Sequence, residues 1–111
     1  MKLYSILMTP DSAENLREIR NYIADVLLEP GTALEYIQSI RRKIETFQSM
    51  PERVIPVPDE PWHSLGIRRL SAKRFYIYYR IDEAEKKVYI LNVIYQGRDQ
   101  QSILKEMDFE D

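Results

Sequence analysis

The chain of 111 residues contains no cysteine and a single histidine. Without cysteine there is no disulfide framework and no thiolate metal site, which is typical of proteins kept in the cytoplasm. One histidine leaves a structural zinc site without its usual ligands, so we expect no metal. Every apolar run falls short of the about 18 residues that a membrane-spanning helix needs. We therefore expect a cytoplasmic protein without a membrane segment.

Glycine is also scarce, with three residues in the chain. The sequence has no P-loop, no glycine-rich dinucleotide fingerprint and no H-E-x-x-H metal motif. We therefore expect no bound cofactor. The net charge of −2 argues against a general nucleic-acid coat protein, which would be basic throughout.

The N-terminal half has the pattern of one strand followed by two helices. Residues 2–8 alternate with a period of two, and because both faces look covered, we expect a strand inside a sheet. Residues 11–28 show helical spacing with Asp11 as the predicted cap. Pro30 and Gly31 are predicted to break the chain before a second helix begins at Thr32. Two helices joined by so short a loop form an antiparallel αα-hairpin.

The C-terminal half is predicted to be mostly β-structure. Residues 51–65 hold four of the six prolines and read as an ordered loop. Strands are predicted at 66–71, 74–81 and 88–95, and the last is predicted to be central because it is nearly apolar throughout. Residues 100–107 are predicted to form a short helix capped by Asp99.

The order of these elements predicts one α+β domain over residues 1–111. An N-terminal strand and a three-stranded antiparallel meander would form a four-stranded twisted sheet. The αα-hairpin would pack on one face of this sheet. The other face would then be left open to solvent.

Positive charge is concentrated on that predicted open face. Between Trp62 and Ile81 the chain has five basic residues and no acid: Arg68, Arg69, Lys73, Arg74 and Arg80. Period-two alternation places four side chains on the face away from the helices: Arg74, Tyr76, Tyr78 and Arg80. Arginine pairs with phosphate and tyrosine stacks on bases, so this face could bind a single-stranded nucleic acid. An acidic protein segment, or simple solvation of an ordinary strand face, explains the same pattern.

Other charged residues carry less information. His63 is a candidate general acid or base, but a histidine in such a proline-rich loop is more often a surface residue. Asp82, Glu83 and Glu85 read as a hairpin turn rather than a metal cluster. The run Arg41-Arg42-Lys43 reads as a solvated helix face.

A family resemblance rests on four stretches that follow the N-terminal strand in order: LREIRNYIADVL, FQSMPE, GIRRLSAKRFYIYYRID and VYILNVIYQGRD. With them the chain resembles the RelE/ParE superfamily of type II toxin–antitoxin toxins, often labelled plasmid stabilization proteins. The resemblance covers nearly the full length and implies a RelE/ParE-like fold.

The resemblance also implies a toxin that a cognate antitoxin holds inactive. RelE-like members are mRNA interferases that cut mRNA on the ribosome, and ParE-like members inhibit DNA gyrase without enzymatic activity. We expect metal-independent mRNA cleavage, with the ribosome and mRNA as partners, and gyrase inhibition as the alternative. Whether the toxin forms a homodimer stays open.

The residues carried over from the family match the RNA-cutting pattern in part. Arg69 and Arg98 fill cationic positions, whereas Tyr76 stands where RelE-like enzymes have an arginine. Leu104 stands at about the position of a C-terminal catalytic tyrosine or histidine. The resemblance thus implies catalytic roles for Arg69, Tyr76 and Arg98. Target binding is expected from Arg68, Lys73, Arg74, Tyr78, Arg80 and Tyr95.

Overall fold

The computed structural model describes residues 3–107, which include a four-stranded sheet. The strands are β1 (Ser5–Met8), β2 (Arg68–Ala72), β3 (Phe75–Asp82) and β4 (Lys87–Tyr95). They lie in the order β1-β4-β3-β2, and the last three strands of the chain form an antiparallel meander. The predicted α+β class, the meander and the central position of β4 are confirmed.

Strand β1 lies at an edge of the sheet, so the prediction of an interior strand is wrong. It pairs in parallel with β4, and the described chain places no strand on its other side. Leu3 and Leu7 are exposed, although their apolar character suggested that they were covered. The predicted strand began at residue 2, which lies outside the described residues, as do residues 108–111.

Helix α1 (Pro10–Asn21) begins beside a threonine cap. The hydroxyl of Thr9 accepts a hydrogen bond from the backbone N–H three residues later, at 3.2 Å. The prediction that Asp11 caps the helix is therefore wrong, because Asp11 lies within the first turn. A π-helical turn (Tyr22–Val26) continues the helix, and helical spacing alone does not reveal this change.

Helix α2 (Pro30–Glu45) begins at Pro30, so the predicted break there and the start at Thr32 are wrong. Proline is favourable in the first helical turn, where the missing N–H has no partner to lose. Helix α2 packs beside α1, which confirms the helical hairpin. Two short 3₁₀ turns, Thr46–Gln48 and Pro51–Arg53, lead into the proline-rich loop.

One face of the sheet packs against the helical hairpin and forms the first core. Phe47 is fully buried and stacks on Tyr79, with 4.0 Å between the ring centroids. The Tyr79 hydroxyl donates to the carbonyl of Pro51 at 2.8 Å. Burial raises the pKa of Tyr79 to about 12, so the phenol stays neutral at physiological pH.

The other face is covered as well, which overturns the prediction of an open face. Trp62 from the proline-rich loop and Leu104 from the terminal helix pack on it, and Tyr78 beneath them is fully buried. We call this group the second core: Val57, Trp62, Ile67, Tyr78, Leu91, Ile94, Leu104 and Met107. The sheet is therefore the middle layer of three.

The terminal helix α3 (Gln100–Glu106) holds the second core in place. The Asp99 carboxylate accepts from the backbone N–H groups of Gln101 and Ser102, at 3.2 and 3.4 Å, so the predicted cap is confirmed. These bonds and one from the Ser102 hydroxyl lower the pKa of Asp99. Leu104 is buried in the second core, where it serves packing and not proton transfer.

Candidate target-binding site

The register of β2 and β3 brings Arg69 together with two of the predicted tyrosines. Arg69 lies directly opposite Tyr78 in the antiparallel pair. Its guanidinium is 4.5 Å from the ring centroid of Tyr76 and donates to the Tyr78 hydroxyl at 3.3 Å. We call these three residues the Arg69 cluster. The predicted proximity of Arg69 and Tyr76 is thus observed, at the margin of the second core.

The buried Tyr78 hydroxyl connects the Arg69 cluster to helix α3. It donates to the side-chain oxygen of Gln100 at 2.7 Å. The Gln100 amide in turn donates to the carbonyl of Arg98 at 2.7 Å and to that of Tyr95 at 3.1 Å. Gln100 was not predicted, because no sequence pattern shows that its side chain turns back toward the sheet.

Tyr78 is poorly suited to accept a proton. Burial raises the pKa of its phenol, against the opposing effect of the Arg69 cation. Its hydroxyl is also occupied as both donor and acceptor. The expectation that Tyr78 lies exposed for stacking on a base is wrong, because its ring is enclosed by the second core.

Arg98 lies elsewhere, in a cleft between the helical hairpin and the end of the sheet. This hairpin cleft has a volume of about 770 Å³ and also includes Arg74 and Tyr95. Tyr95 is about half exposed and packs edge-on against Phe75, with 6.0 Å between the ring centroids. The predicted catalytic set is therefore divided, with Arg69 and Tyr76 in one place and Arg98 in another.

The remaining lining of the hairpin cleft comes mostly from the helices. Its apolar residues include Ile19, Tyr22, Leu27 and Tyr36, and Glu18 and Glu29 lie among them. Helical spacing marks Ile19 and Leu27 as apolar helix positions, but it does not show which apolar side chains of a helix line a cleft beyond the sheet. The lining of the cleft therefore combines apolar and charged side chains.

The other predicted binding residues are spread over different surfaces. Arg68 points to the opposite side from Arg69 and donates to the backbone carbonyl of Val54. Lys73 lies 3.6 Å from a Glu35 carboxylate oxygen, beside helix α2. Arg80 lies over the ring of Tyr89, 4.2 Å from its centroid. Arg80 and Tyr78 lie on the same sheet face, as predicted, but the second core covers that face and Arg74 lies in the hairpin cleft, so the prediction of one open face that holds all three is wrong.

His63 lies in the proline-rich loop, where its Nδ1 is 3.0 Å from the carbonyl oxygen of Val57. The contacts described for the Arg69 cluster do not include it. Within residues 3–107 there is no cluster of three or more side chains that could ligate a metal ion.

The described part of the chain has no helix both long and apolar enough to cross a membrane.

The chain matches the family described as ParE toxin of type II toxin–antitoxin system, parDE, over residues 6–100. A search of curated protein sequences gives no significant match. Among solved structures, the chain is similar to one of the chromosomal ParDE toxin–antitoxin system from P. aeruginosa. That match has 25% identity and a TM-score of 0.68, and it covers 84% of this chain and 96% of that chain.

Two further solved structures share the fold at lower identity. One belongs to the RelBE2 toxin–antitoxin complex from Mycobacterium tuberculosis, with 20% identity, a TM-score of 0.57 and coverage of 88% of this chain and 97% of that chain. The other is an E. coli toxin RelE mutant in the free state, with 8% identity, a TM-score of 0.65 and coverage of 94% and 93%. At these identities the similarity concerns the fold alone.

Proposed function

Since the chain belongs to the ParE toxin family of type II toxin–antitoxin systems, we propose that it inhibits DNA gyrase by binding to it, without cutting nucleic acid. Gyrase is the target that the resemblance to ParE-like toxins implies. Both gyrase and an antitoxin are met in the cytoplasm, where we expect the toxin to act.

The division of the predicted catalytic set carries this proposal. Cleavage of RNA without metal needs a proton acceptor, an acid for the leaving group and cations for the developing charge. The contacts described for Arg69 are with Tyr76 and with the buried Tyr78, whose raised pKa keeps its phenol protonated and so unavailable as a base. Arg98 lies in the hairpin cleft, and Leu104 is buried. These positions favour a toxin that works by binding.

The rival function is ribosome-dependent mRNA cleavage, and expression in growing cells separates the two. We expect induction of the chain to arrest growth, to relax plasmid DNA and to leave translated messages intact. Plasmid topology would be read on chloroquine gels and message ends by primer extension. New message ends with normal plasmid supercoiling would reject gyrase inhibition in favour of cleavage.

The hairpin cleft has the properties of a surface that an antitoxin covers. Its apolar side chains can pack against the nonpolar side of an amphipathic segment, and Arg74 and Arg98 can pair with acidic residues of that segment. We therefore place the cognate antitoxin there. Arg69 lies on a different surface from Arg74, so we expect it to lie outside this contact.

Reversing both charges at the cleft should weaken antitoxin binding. We expect the double variant R74E/R98E to lower the affinity by about tenfold or more, because two attractive contacts become repulsive. Isothermal titration with the cognate antitoxin measures the change. The control R17E/R41E makes the same change in net charge with exposed arginines outside the cleft, and it should bind nearly as wild type. Equal losses in both variants would move the antitoxin contact away from the cleft.

A further inference from the structure

A second, smaller depression lies between helix α2 and the turn that joins β2 to β3. This groove, which we call the α2 groove, has a volume of about 440 Å³. Its lining consists of Ser39, Arg42, Lys43, Thr46, Ala72 and Lys73. Among these described residues, three are cations and none is an acid, although the whole chain is acidic. The hairpin cleft differs, since it contains both glutamates and arginines.

The cations of the α2 groove come from two separate elements. Arg42 and Lys43 lie in the last turn of α2, where cations are favourable because they oppose the helix dipole. That effect does not account for Lys73, which reaches the groove from the β2–β3 turn with a φ of 56°. A left-handed backbone is uncommon for a lysine. The sequence run at α2 was interpreted as a solvated helix face, but the fold adds a third cation opposite it.

Hydrogen bonds link several side chains in and beside the groove. The Arg42 guanidinium donates to the Ser39 hydroxyl at 3.3 Å. The Thr46 hydroxyl donates to the Lys43 carbonyl at 2.6 Å and accepts from Arg53 at 2.6 Å. The Arg53 guanidinium is thereby engaged with Thr46 and lies over the Phe47 ring, outside the lining of the groove. The contact of Lys73 with Glu35 spans 3.6 Å between exposed groups, so a stronger anion can replace it.

The geometry points to the α2 groove as a contact site for the phosphate backbone of duplex DNA. Arginine, lysine, serine and threonine are the side chains that contact phosphate oxygens in protein–DNA interfaces. This function is separate from gyrase inhibition, and it would hold whichever macromolecule the toxin inhibits.

The composition of the groove favours duplex DNA over other anionic partners. Protein interfaces gain much of their affinity from buried tryptophan, tyrosine and arginine anchors, whereas the described lining has no aromatic ring and its one arginine, Arg42, is exposed. A single-stranded nucleic acid would gain its affinity from bases stacked on aromatic rings, and none of the described lining residues is aromatic. A regular row of phosphates needs neither feature.

Fluorescence anisotropy with a short labelled duplex of arbitrary sequence tests the inference. We expect the duplex to bind at low salt. A plot of the logarithm of the binding constant against the logarithm of the salt concentration should have a slope of about −2.7, because each of three neutralised phosphates contributes about −0.9. The variant R42Q/K43Q/K73Q should lower the affinity by about tenfold or more at low salt and bring the slope close to zero. All three residues line an open groove, so circular dichroism should show an unchanged fold.

The chain provides matched controls for these substitutions. Lys86 also has a left-handed backbone in a hairpin turn and also pairs with a glutamate, at 3.0 Å from Glu83, but it lies outside the groove. Arg41 is exposed on α2 and does not line the groove. The variants K86Q and R41Q should each keep most of the affinity and slope.

A substitution with the opposite effect makes the test independent of any loss of folding. E35Q removes the acid that competes for Lys73, so we expect it to strengthen duplex binding by about twofold to fivefold. The inference is overturned if the triple variant binds duplex as wild type does, or if K86Q and R41Q weaken it equally. It is also overturned if E35Q has no effect, or if polyglutamate displaces the duplex at equal charge concentration, which would indicate an acidic protein partner.

Discussion

Replacing Trp62 with alanine should lower the free energy of unfolding by about 3–5 kcal/mol, the usual loss for a buried aromatic side chain. Trp62 is 8% exposed and packs in the second core, against the sheet face that its sequence pattern presents as open. A loss of this size is a large part of the about 5–15 kcal/mol that stabilises a typical domain. We therefore expect the variant to be partly unfolded near physiological temperature.

Urea denaturation followed by circular dichroism measures this loss. The control L65A removes an exposed side chain from the same loop, and it should change stability by less than about 0.5 kcal/mol. If W62A were as stable as L65A, the proline-rich loop would not cover the sheet. The open basic face that the strand alternation predicts would then have to be reconsidered.

Replacing Phe47 with alanine should destabilise the first core by a similar amount, about 3–5 kcal/mol. Phe47 is fully buried, stacks on Tyr79 and lies under the Arg53 guanidinium, which is 5.5 Å from its ring centroid. Its loss leaves a cavity between the end of α2 and the sheet, where neighbouring side chains can collapse only in part.

The chain has a single tryptophan, so the emission of Trp62 reports unfolding of this variant without an added probe. The control L34A shortens a side chain of α2 that is 59% exposed, and it should leave the urea midpoint nearly unchanged. A midpoint for F47A equal to that of L34A would contradict the described packing of the helical hairpin on the sheet.

Local patterns in the sequence were sufficient to predict most of the secondary structure. The alternation from Phe75 onward predicts β3, the apolar run predicts the central strand β4, and Asp99 predicts the start of α3. These signals are local, because a strand's period and a helix cap each depend on a few neighbouring residues. The cap of α1 was misplaced because Thr9 and Asp11 are both good caps and lie close together.

Coverage of the second sheet face could not be predicted from local patterns. Tyr76 and Tyr78 fit a solvated strand face as well as a buried one, since tyrosine combines an apolar ring with a polar hydroxyl. Their environment depends on Trp62 and Leu104, which come from distant parts of the sequence. The edge position of β1 could not be predicted either, because the alternation of residues within a strand does not show which strands lie beside that strand.

Only part of the candidate site could be predicted, because local patterns do not show how distant segments pack. Arg69 and Tyr76 lie on the same face of paired strands, so their contact follows from strand register. The position of Arg98 depends instead on the turn after β4, which directs it to the hairpin cleft. The α2 groove was not predicted, because Lys73 meets Arg42 and Lys43 only when the sheet packs on α2.

We propose that the toxin acts by binding gyrase. Its most direct test is the conversion of relaxed plasmid to the supercoiled form by purified gyrase, at increasing concentrations of the chain. We predict that the amount of supercoiled product decreases as toxin is added until none is formed. The cognate antitoxin should restore supercoiling. Undiminished supercoiling at concentrations that block protein synthesis in a cell-free translation reaction would contradict gyrase inhibition.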